Sequence, residues 1–307
     1  MVAVLRAHSS QERLVLPDRC LVGRSKSCDL VLGARDVSGR HAEIQWDGDH
    51  WELHDLGSRN GTCVDGARLA AGERLVLRQG AEIRFGRESA VFNLEDAAGP
   101  QLMAHRLPAA QWRVGEGGYL ALPDLQEPEC SIYQDPHGSW ICERGAEVAP
   151  IDDRAVLALH DGLWRVYLPK FCAGTWQESD GGLCVANLRL CFAFSRDEER
   201  VELVACCGDR RLDLQRRAHH YVLLLLARRR LTDERAGVPA AEQGWLTADE
   251  LLKMLRMDDN HLNICIHRAR TQLGRLGVAD AASLVERRPG TRQVRLGPAR
   301  IELRPLD

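Results

Sequence analysis

The 307-residue sequence has no long apolar run: its longest, Tyr221 to Ala227, has seven residues. A membrane-spanning helix needs about twenty, so no membrane partner is expected. The segment Met1-Val-Ala-Val-Leu-Arg6 lacks the charged start and cleavage site of a signal peptide. Eleven cysteines are present, an odd number, with no C-x-x-C pair and with Cys206 and Cys207 adjacent. That usage excludes a disulfide framework or a zinc site and reads as reduced cytoplasmic thiols packed as small hydrophobes. There is no P-loop, no Gly-x-Ser-x-Gly and no metal-spaced His/Cys cluster. No catalytic residue, metal or cofactor is expected, and the chain does not read as an enzyme.

What is present is an ordinary globular composition, 45% apolar and 28% charged, over a length that suits two or three domains. The net charge of -3 is unevenly spread. Residues 208–307 hold 19 Lys+Arg against 13 Asp+Glu, a balance of +6, and the remainder carries -9. An acidic front and a basic back imply different partners, nucleic acid being the candidate for the back.

Short alternating apolar runs bounded by turn residues fill residues 1–97 and predict an all-β sandwich. The stretch Glu95 to Pro100 reads as a linker. Residues 101–172 read as strands again and lay onto the first segment in order. In that alignment Val22-Gly23-Arg24 matches Val114-Gly115-Glu116, and Leu30-Val31-Leu32 matches Leu120-Ala121-Leu122. Gln45 to Trp51 matches Gln134 to Trp140, and Arg74 to Gly80 resembles Ala155 to Gly162. The expectation is a second, degenerate copy of the sandwich, with an unrelated small β domain as the alternative. Residues 180–307 change character. Strands over 188–195 and 201–206 precede helices predicted at 213–229, from the capping box Thr247-Ala248-Asp249-Glu250 to Leu255, and from Asp258-Asp259-Asn260 to Gly274–Gly277. A hairpin over Val285–Leu296, turning at Pro289-Gly290, follows. The whole reads as multidomain: two β sandwiches, then an α+β winged helix.

A reader of phosphorylated side chains needs a cation, hydroxyl or amide donors, and turns that aim backbone N–H groups outward. Three loops of the first segment offer these: Gly23-Arg24-Ser25, Ser38-Gly39-Arg40-His41, and Asp55 to Thr62 with Ser58-Arg59-Asn60-Gly61 at its centre. In order and spacing they resemble the forkhead-associated (FHA) family. The resemblance implies phosphothreonine binding, with Arg24 and Ser38 on the phosphate, Gly39 giving its amide, Asn60 holding the peptide backbone, and Arg59 and Arg40 assisting. It makes Gly23, His41 and Gly61 structural. It also implies a phosphothreonine-containing partner, a Ser/Thr kinase or its substrate. In the alignment above, the second copy has Glu116 for Arg24 and Glu127-Pro128-Glu129-Cys130 for Ser38 to His41, and lacks the Ser-Arg-Asn-Gly turn. It should repel phosphate and serve as spacer or docking surface.

Leu262, Ile266, Ala269 and Leu273 give the third helix a core face. Asn263, His267, Arg268, Arg270, Thr271 and Arg275 lie beside it, and Arg287, Arg288 and Arg292 lie on the following hairpin. Leu246-Thr247-x-x-Glu250-Leu251-Leu252 and Cys265 to Leu273 resemble the OmpR-type effector domain of bacterial response regulators. That resemblance implies double-stranded DNA as a partner of these residues. Thr271-Gln272 departs from the family, where further basic residues often follow. Transcription regulation, with phosphate docking changing homo-oligomeric state or relieving occlusion of the winged helix, is one reading. An adaptor whose winged helix docks a protein is the other.

Overall fold

The computed structural model describes residues 2–70, 72–87, 90–108, 111–124, 126–135, 137–145, 147–170, 183–288, 290–297 and 300–306. Two compact units account for the chain, one of Met1–Met103 with Tyr167–Thr175, the other of Ala104–Val166 with Trp176–Asp307.

The first unit is a β sandwich. Its strands are β1 (Val4–Ala7), β2 (Arg13–Val15), β3 (Arg19–Gly23), β4 (Leu30–Val31), β5 (Ala42–Trp46), β6 (Trp51–Asp55), β7 (Thr62–Val64), β8 (Ala67–Arg68), β9 (Arg74–Leu77), β10 (Glu82–Phe85) and β11 (Ala90–Asp96). One sheet runs β2-β1-β11-β10-β7-β8 and the other β4-β3-β5-β6-β9. Alternation decides which side chains face inward: Trp51, Leu53 and Asp55 of β6 are buried and the residues between them are half-buried. Leu5, Val22, Ile44, Leu53, Ile83, Phe85 and Leu94 fill the space between the sheets.

Apart from the strand ends Met103 and Tyr167, the second unit begins with another sandwich: β12 (Met103–Leu107), β13 (Gln111–Val114), β14 (Tyr119–Leu122), β15 (Cys130–Gln134), β16 (Trp140–Arg144), β17 (Glu147–Pro150), β18 (Val156–Leu159) and β19 (Gly162–Tyr167). Its sheets run β13-β12-β19-β18 and β14-β15-β16-β17. This is the strand order of the first sandwich without equivalents of β4, β7 and β8.

Strand pairing corrects the alignment made from sequence. β14 pairs β15 as β3 pairs β5, Leu122 facing Cys130 where Val22 faces Ala42. Tyr119–Leu122 therefore stands in for β3, not β4, and Asp124 falls at the place of Arg24. Glu116 instead lies between β13 and β14, bridged to Tyr119. Ser38-Gly39-Arg40-His41 corresponds to Gln126-Glu127-Pro128-Glu129, one residue earlier than expected. Val156–Leu159 answers β10, because it pairs β19 as β10 pairs β11. The few identities could not fix register where whole strands are missing.

The rest of this unit comprises β20 (Arg189–Phe194), β21 (Val201–Cys207), β22 (Arg210–Arg216), α1 (His220–Arg235), β23 (Leu246–Thr247), α2 (Ala248–Leu255), α3 (Asp259–Arg275), β24 (Val285–Arg287), β25 (Gln293–Leu296) and β26 (Arg300–Pro305). Four strands form β22-β21-β20-β26, and three form β23-β25-β24. Val222 to Ala227 of α1 are all buried against Leu190, Phe192, Leu203, Leu262, Ile266 and Leu273. Thr247 caps α2 in a reciprocal box with Glu250, and Asp258 caps α3 by accepting from the His261 amide. The helix expected over 213–229 is displaced. Arg210–Arg216 pairs with β21 as a strand, and the helix runs on to Arg235 into the segment expected as loop. Of the expected Pro289-Gly290 turn, Pro289 lies outside the described residues.

Candidate functional site

Three loops at one end of the first sandwich converge through a short set of hydrogen bonds. Gly23 ends β3, and a Cβ there would stand 2.3 Å from the Gly39 carbonyl oxygen. The absence of a side chain lets the first and second loops lie side by side. Across that contact the Arg24 and Ser25 amides donate to the carbonyls of Ser38 and Gly39, each at 2.9 Å. The Cys28 thiol donates to the same Gly39 carbonyl at 3.2 Å, a tie that the sequence reading did not include.

His41, wholly buried, holds the second loop to the third. Its Nδ1 accepts from the Ser38 amide at 3.0 Å and its Nε2 donates to the Gly61 carbonyl at 3.2 Å. Burial pulls its pKa below the usual histidine value, the bond to Gly61 working the other way. The ring is the neutral Nε2–H tautomer, braced edge-on by Phe85 at 5.8 Å. Asp55 organises the third loop. Its Oδ1 accepts from the amides of Gly57 and Ser58, and its Oδ2 from the hydroxyls of Ser58 and Thr62. Burial would raise this carboxyl, yet those donors hold it below the usual carboxylate range. Gly61 has φ +82, a left-handed turn suited to glycine.

The expected phosphate residues end up together. Ser38 Oγ accepts from the Arg59 amide at 3.1 Å, and Asn60 Nδ2 donates to the Asp36 carbonyl at 2.6 Å. Arg24 Nε donates to the Val37 carbonyl at 3.3 Å. Arg24, Gly39, Arg40 and Arg59 are exposed, and Ser38 and Asn60 half-buried. Among the described residues none of Arg24, Arg40 and Arg59 is ion-paired with a carboxylate. An exposed cation, a hydroxyl and a glycine amide at one loop edge can receive a tetrahedral oxyanion. For a metal, the described residues bring three His/Asp/Glu donors within 4.8 Å only at Asp47, His50 and Glu52. Asp47 and His50 lie on the β5–β6 turn and Glu52 on β6; His50 Nε2 is 3.0 Å from Asp47 and 3.8 Å from Glu52, and the three read as surface ion pairs.

The residues expected on DNA lie otherwise. His267, Arg270 and Thr271 are buried at 2%, 1% and 6% exposure. Arg270 Nη1 donates to Glu143 Oε2 at 3.0 Å, and Arg287 Nε to Glu143 Oε1 at 2.7 Å. Tyr133 donates its hydroxyl to Glu143 at 2.6 Å and sets its ring 4.9 Å from the Arg270 guanidinium carbon. Burial alone would raise the Glu143 carboxyl, but Arg270 and Arg287 override it and hold it at about 2. His267 Nδ1 lies 2.7 Å from the Tyr119 hydroxyl. Burial, reinforced by Arg270, pulls His267 down to about 3. Arg275 pairs with Glu116 at 2.7 Å, and Arg287 also donates to Asn263 at 2.6 Å. Arg288 is paired with Glu242 at 2.7 Å and stacks on Trp245; Arg292 is held by Asp259 at 2.6 Å. Arg268 remains exposed. As placed, His267, Arg270 and Thr271 face the second sandwich rather than a groove. No periodicity on α3 could have revealed this, since the partner carboxylates lie more than a hundred residues upstream.

Residues 20–86 match the FHA domain family, and this segment is an FHA domain. The chain is 37% identical over 67 residues to the FHA domain-containing protein FhaB of Mycobacterium tuberculosis, covering 22% of this chain and 42% of that protein. It is 34% identical over 93 residues to the oxoglutarate dehydrogenase inhibitor of Corynebacterium jeikeium, covering 30% and 62%. Among solved structures, Mycobacterium tuberculosis EmbR in complex with a low affinity phosphopeptide is 30% identical, with 32% of this chain and 25% of that one covered at a TM-score of 0.29. The chain thus spans less than half the length of FhaB. Among the described residues no helix is long and apolar enough to cross a membrane.

Proposed function

We propose that the first unit reads phosphothreonine on a partner protein, a Ser/Thr kinase or its substrate, and that the chain converts this reading into regulation of transcription. The observation that carries the first half is the exposed Arg24 beside Ser38 and the Gly39 amide, on loops locked by His41 and Gly23. Arg24 and Ser38 take the phosphate, Asn60 the peptide backbone, and Arg59 and Arg40 the flanking residues. The second half rests on reading β20–β22, the helices α1 to α3 and the β24–β25 hairpin as an OmpR-type winged helix that contacts DNA through α3 and the hairpin. The second sandwich is a degenerate FHA copy without phosphate affinity, since Asp124 stands where Arg24 does and no β7–β8 hairpin follows β16 among the described residues.

The second reading, a phospho-dependent adaptor whose winged helix docks protein, is favoured by one observation: His267, Arg270 and Thr271 are buried. A phosphothreonine peptide library tests the first unit. Selective capture by the full chain, lost in Arg24→Ala, is expected; equal capture by the variant would sink the pocket assignment. Binding of the full chain to its own upstream DNA, weakening steeply with salt, separates regulator from adaptor.

A further inference from the structure

We propose that the second sandwich and duplex DNA compete for one arginine surface, formed by Arg270 and Arg275 of α3 and Arg287 of β24, with sandwich carboxylates occupying the places of DNA phosphates. The proposal deepens the winged-helix reading and rests on it.

Glu143 receives two guanidiniums, one on each carboxylate oxygen, at 3.0 Å from Arg270 and 2.7 Å from Arg287. Glu116 receives Arg275 at 2.7 Å. Two guanidiniums converging on one anion from a helix and the adjoining hairpin is the pattern a backbone phosphate meets at a protein surface. The match is steric as well as electrostatic. A Cβ on Gly274 of α3 would lie 2.9 Å from the Glu116 carbonyl oxygen, and one on Gly117 would lie 2.7 Å from Gly274 Cα. Backbone thus touches backbone, and a duplex cannot reach that face while the sandwich is there. The backbone doing this is the β13–β14 connection, Glu116 to Gly118, at the end of β14 opposite to Asp124.

The contact is made of groups that water or phosphate would also satisfy. Nε of Arg270, Nε2 of His267 and Oγ1 of Thr271 are buried without a hydrogen-bond partner among the described residues. A permanent seam would be as stable with apolar side chains of the same volume, because the desolvation of a buried ion pair consumes most of its attraction. Arginines held by carboxylates keep an alternative anionic partner available.

The test uses the full chain and a mixed-sequence duplex of about 30 bp, long enough for two half-sites, titrated at low and at physiological salt. Gly274→Ala adds a methyl on a helix, where alanine is favoured, and wedges the contact apart without removing a charge. Glu116→Gln with Glu143→Gln removes the competing anions. Hydrogen exchange of the α3 amides reports opening independently of DNA. Wild type should bind weakly. Both variants should show faster α3 exchange and at least roughly ten-fold tighter, salt-sensitive binding, as expected for newly exposed phosphate contacts. Tight binding by wild type, unchanged in the variants, would overturn the competition and leave the DNA reading intact. Faster α3 exchange with no duplex binding would overturn both, making the sandwich-held surface a protein-docking one.

Discussion

The amide of Ser38 donates to Nδ1 of His41 across 3.0 Å, so the residue expected on the phosphate is positioned by an imidazole that never reaches it. The same ring gives its Nε2 proton to Gly61. Replacing it by alanine leaves a buried donor and a buried acceptor unmatched, each costing about 1–3 kcal/mol. His41→Ala should lower the urea midpoint of the first unit and weaken phosphothreonine peptide binding together. An unchanged midpoint would show that the loops hold themselves.

Protonation should act in the same direction. The folded pKa of His41 lies below the ordinary 6.5 because of burial. That of His267 is lowered to about 3. For a depressed histidine the unfolded chain binds the extra proton first. The stability each contributes is whole above about pH 6.5 and is lost as pH falls through the folded value, at up to ~1.4 kcal/mol per pH unit per group. Glu143 adds its own loss only below the ordinary 4.5, as pH falls toward about 2. His219 and His220, buried against Gln272 of α3, are lowered as well, so His267→Asn should reduce the pH dependence of α3 hydrogen exchange between 6.5 and 4.5 and leave the more acidic part. A profile unchanged by that substitution would rule out His267 as the titrating group.

The two glycines of the first two loops give a paired test. A methyl on Gly23 meets the Gly39 carbonyl oxygen at 2.3 Å, backbone that cannot move without parting the loops. A methyl on Gly39 meets nothing within 4 Å. Gly23→Ala should cost about 1–3 kcal/mol, as overpacking does, and lose peptide affinity. Gly39→Ala should stay within about 0.5 kcal/mol, as exposed substitutions do, and should keep peptide affinity, because the contact proposed for Gly39 is made by its amide. Urea unfolding and peptide titration of both decide it; equal effects would refute the close approach.

What could be read from the sequence divides along physical lines. The FHA segment was legible because its signature is local: Gly23-Arg24 and Ser58 to Gly61 are motifs whose spacing is their meaning. The capping box of α2 and the apolar face of α3 were legible for the same reason. The β22 strand was misread because Leu214 extends the apolar spacing of α1, and pairing with β21 outweighs that local preference. The register of the second sandwich was missed at β14, where the lack of a β4 equivalent let Tyr119–Leu122 be matched to β4, and the Leu122–Cys130 pairing reveals the frame; the match of Trp51 to Trp140 holds, because Trp46 pairs Trp51 as Gln134 pairs Trp140. The fate of Arg270 was beyond local reading. A basic residue on a polar helix face looks the same whether it meets solvent, phosphate or Glu143.

Asn60 offers a finer test. Its Nδ2 is spent on the Asp36 carbonyl at 2.6 Å, tying the second and third loops. Asn60→Asp keeps the shape and removes that donor. It also sets a carboxylate in the proposed phosphate pocket. Affinity for a phosphothreonine peptide should fall more than in Asn60→Ala, and the excess should shrink with added salt, since exposed charges are screened. Equal losses at all salts would place Asn60 away from the phosphate's field.

The Glu143 cluster makes the last prediction. Glu143, Arg270 and Arg287 are each nearly inaccessible, so deleting one partner strands the others. Glu143→Leu should destabilise the second unit by about 3–5 kcal/mol. Replacing all three together, Glu143→Leu with Arg270→Met and Arg287→Leu, should recover most of that loss, since no buried charge then lacks a partner and the volumes are roughly kept. Urea unfolding followed by tryptophan fluorescence gives both numbers. The additive alternative, in which the triple variant is at least as unstable as the single one, would mean that the three charges contribute net stability here rather than mainly setting which anion α3 accepts.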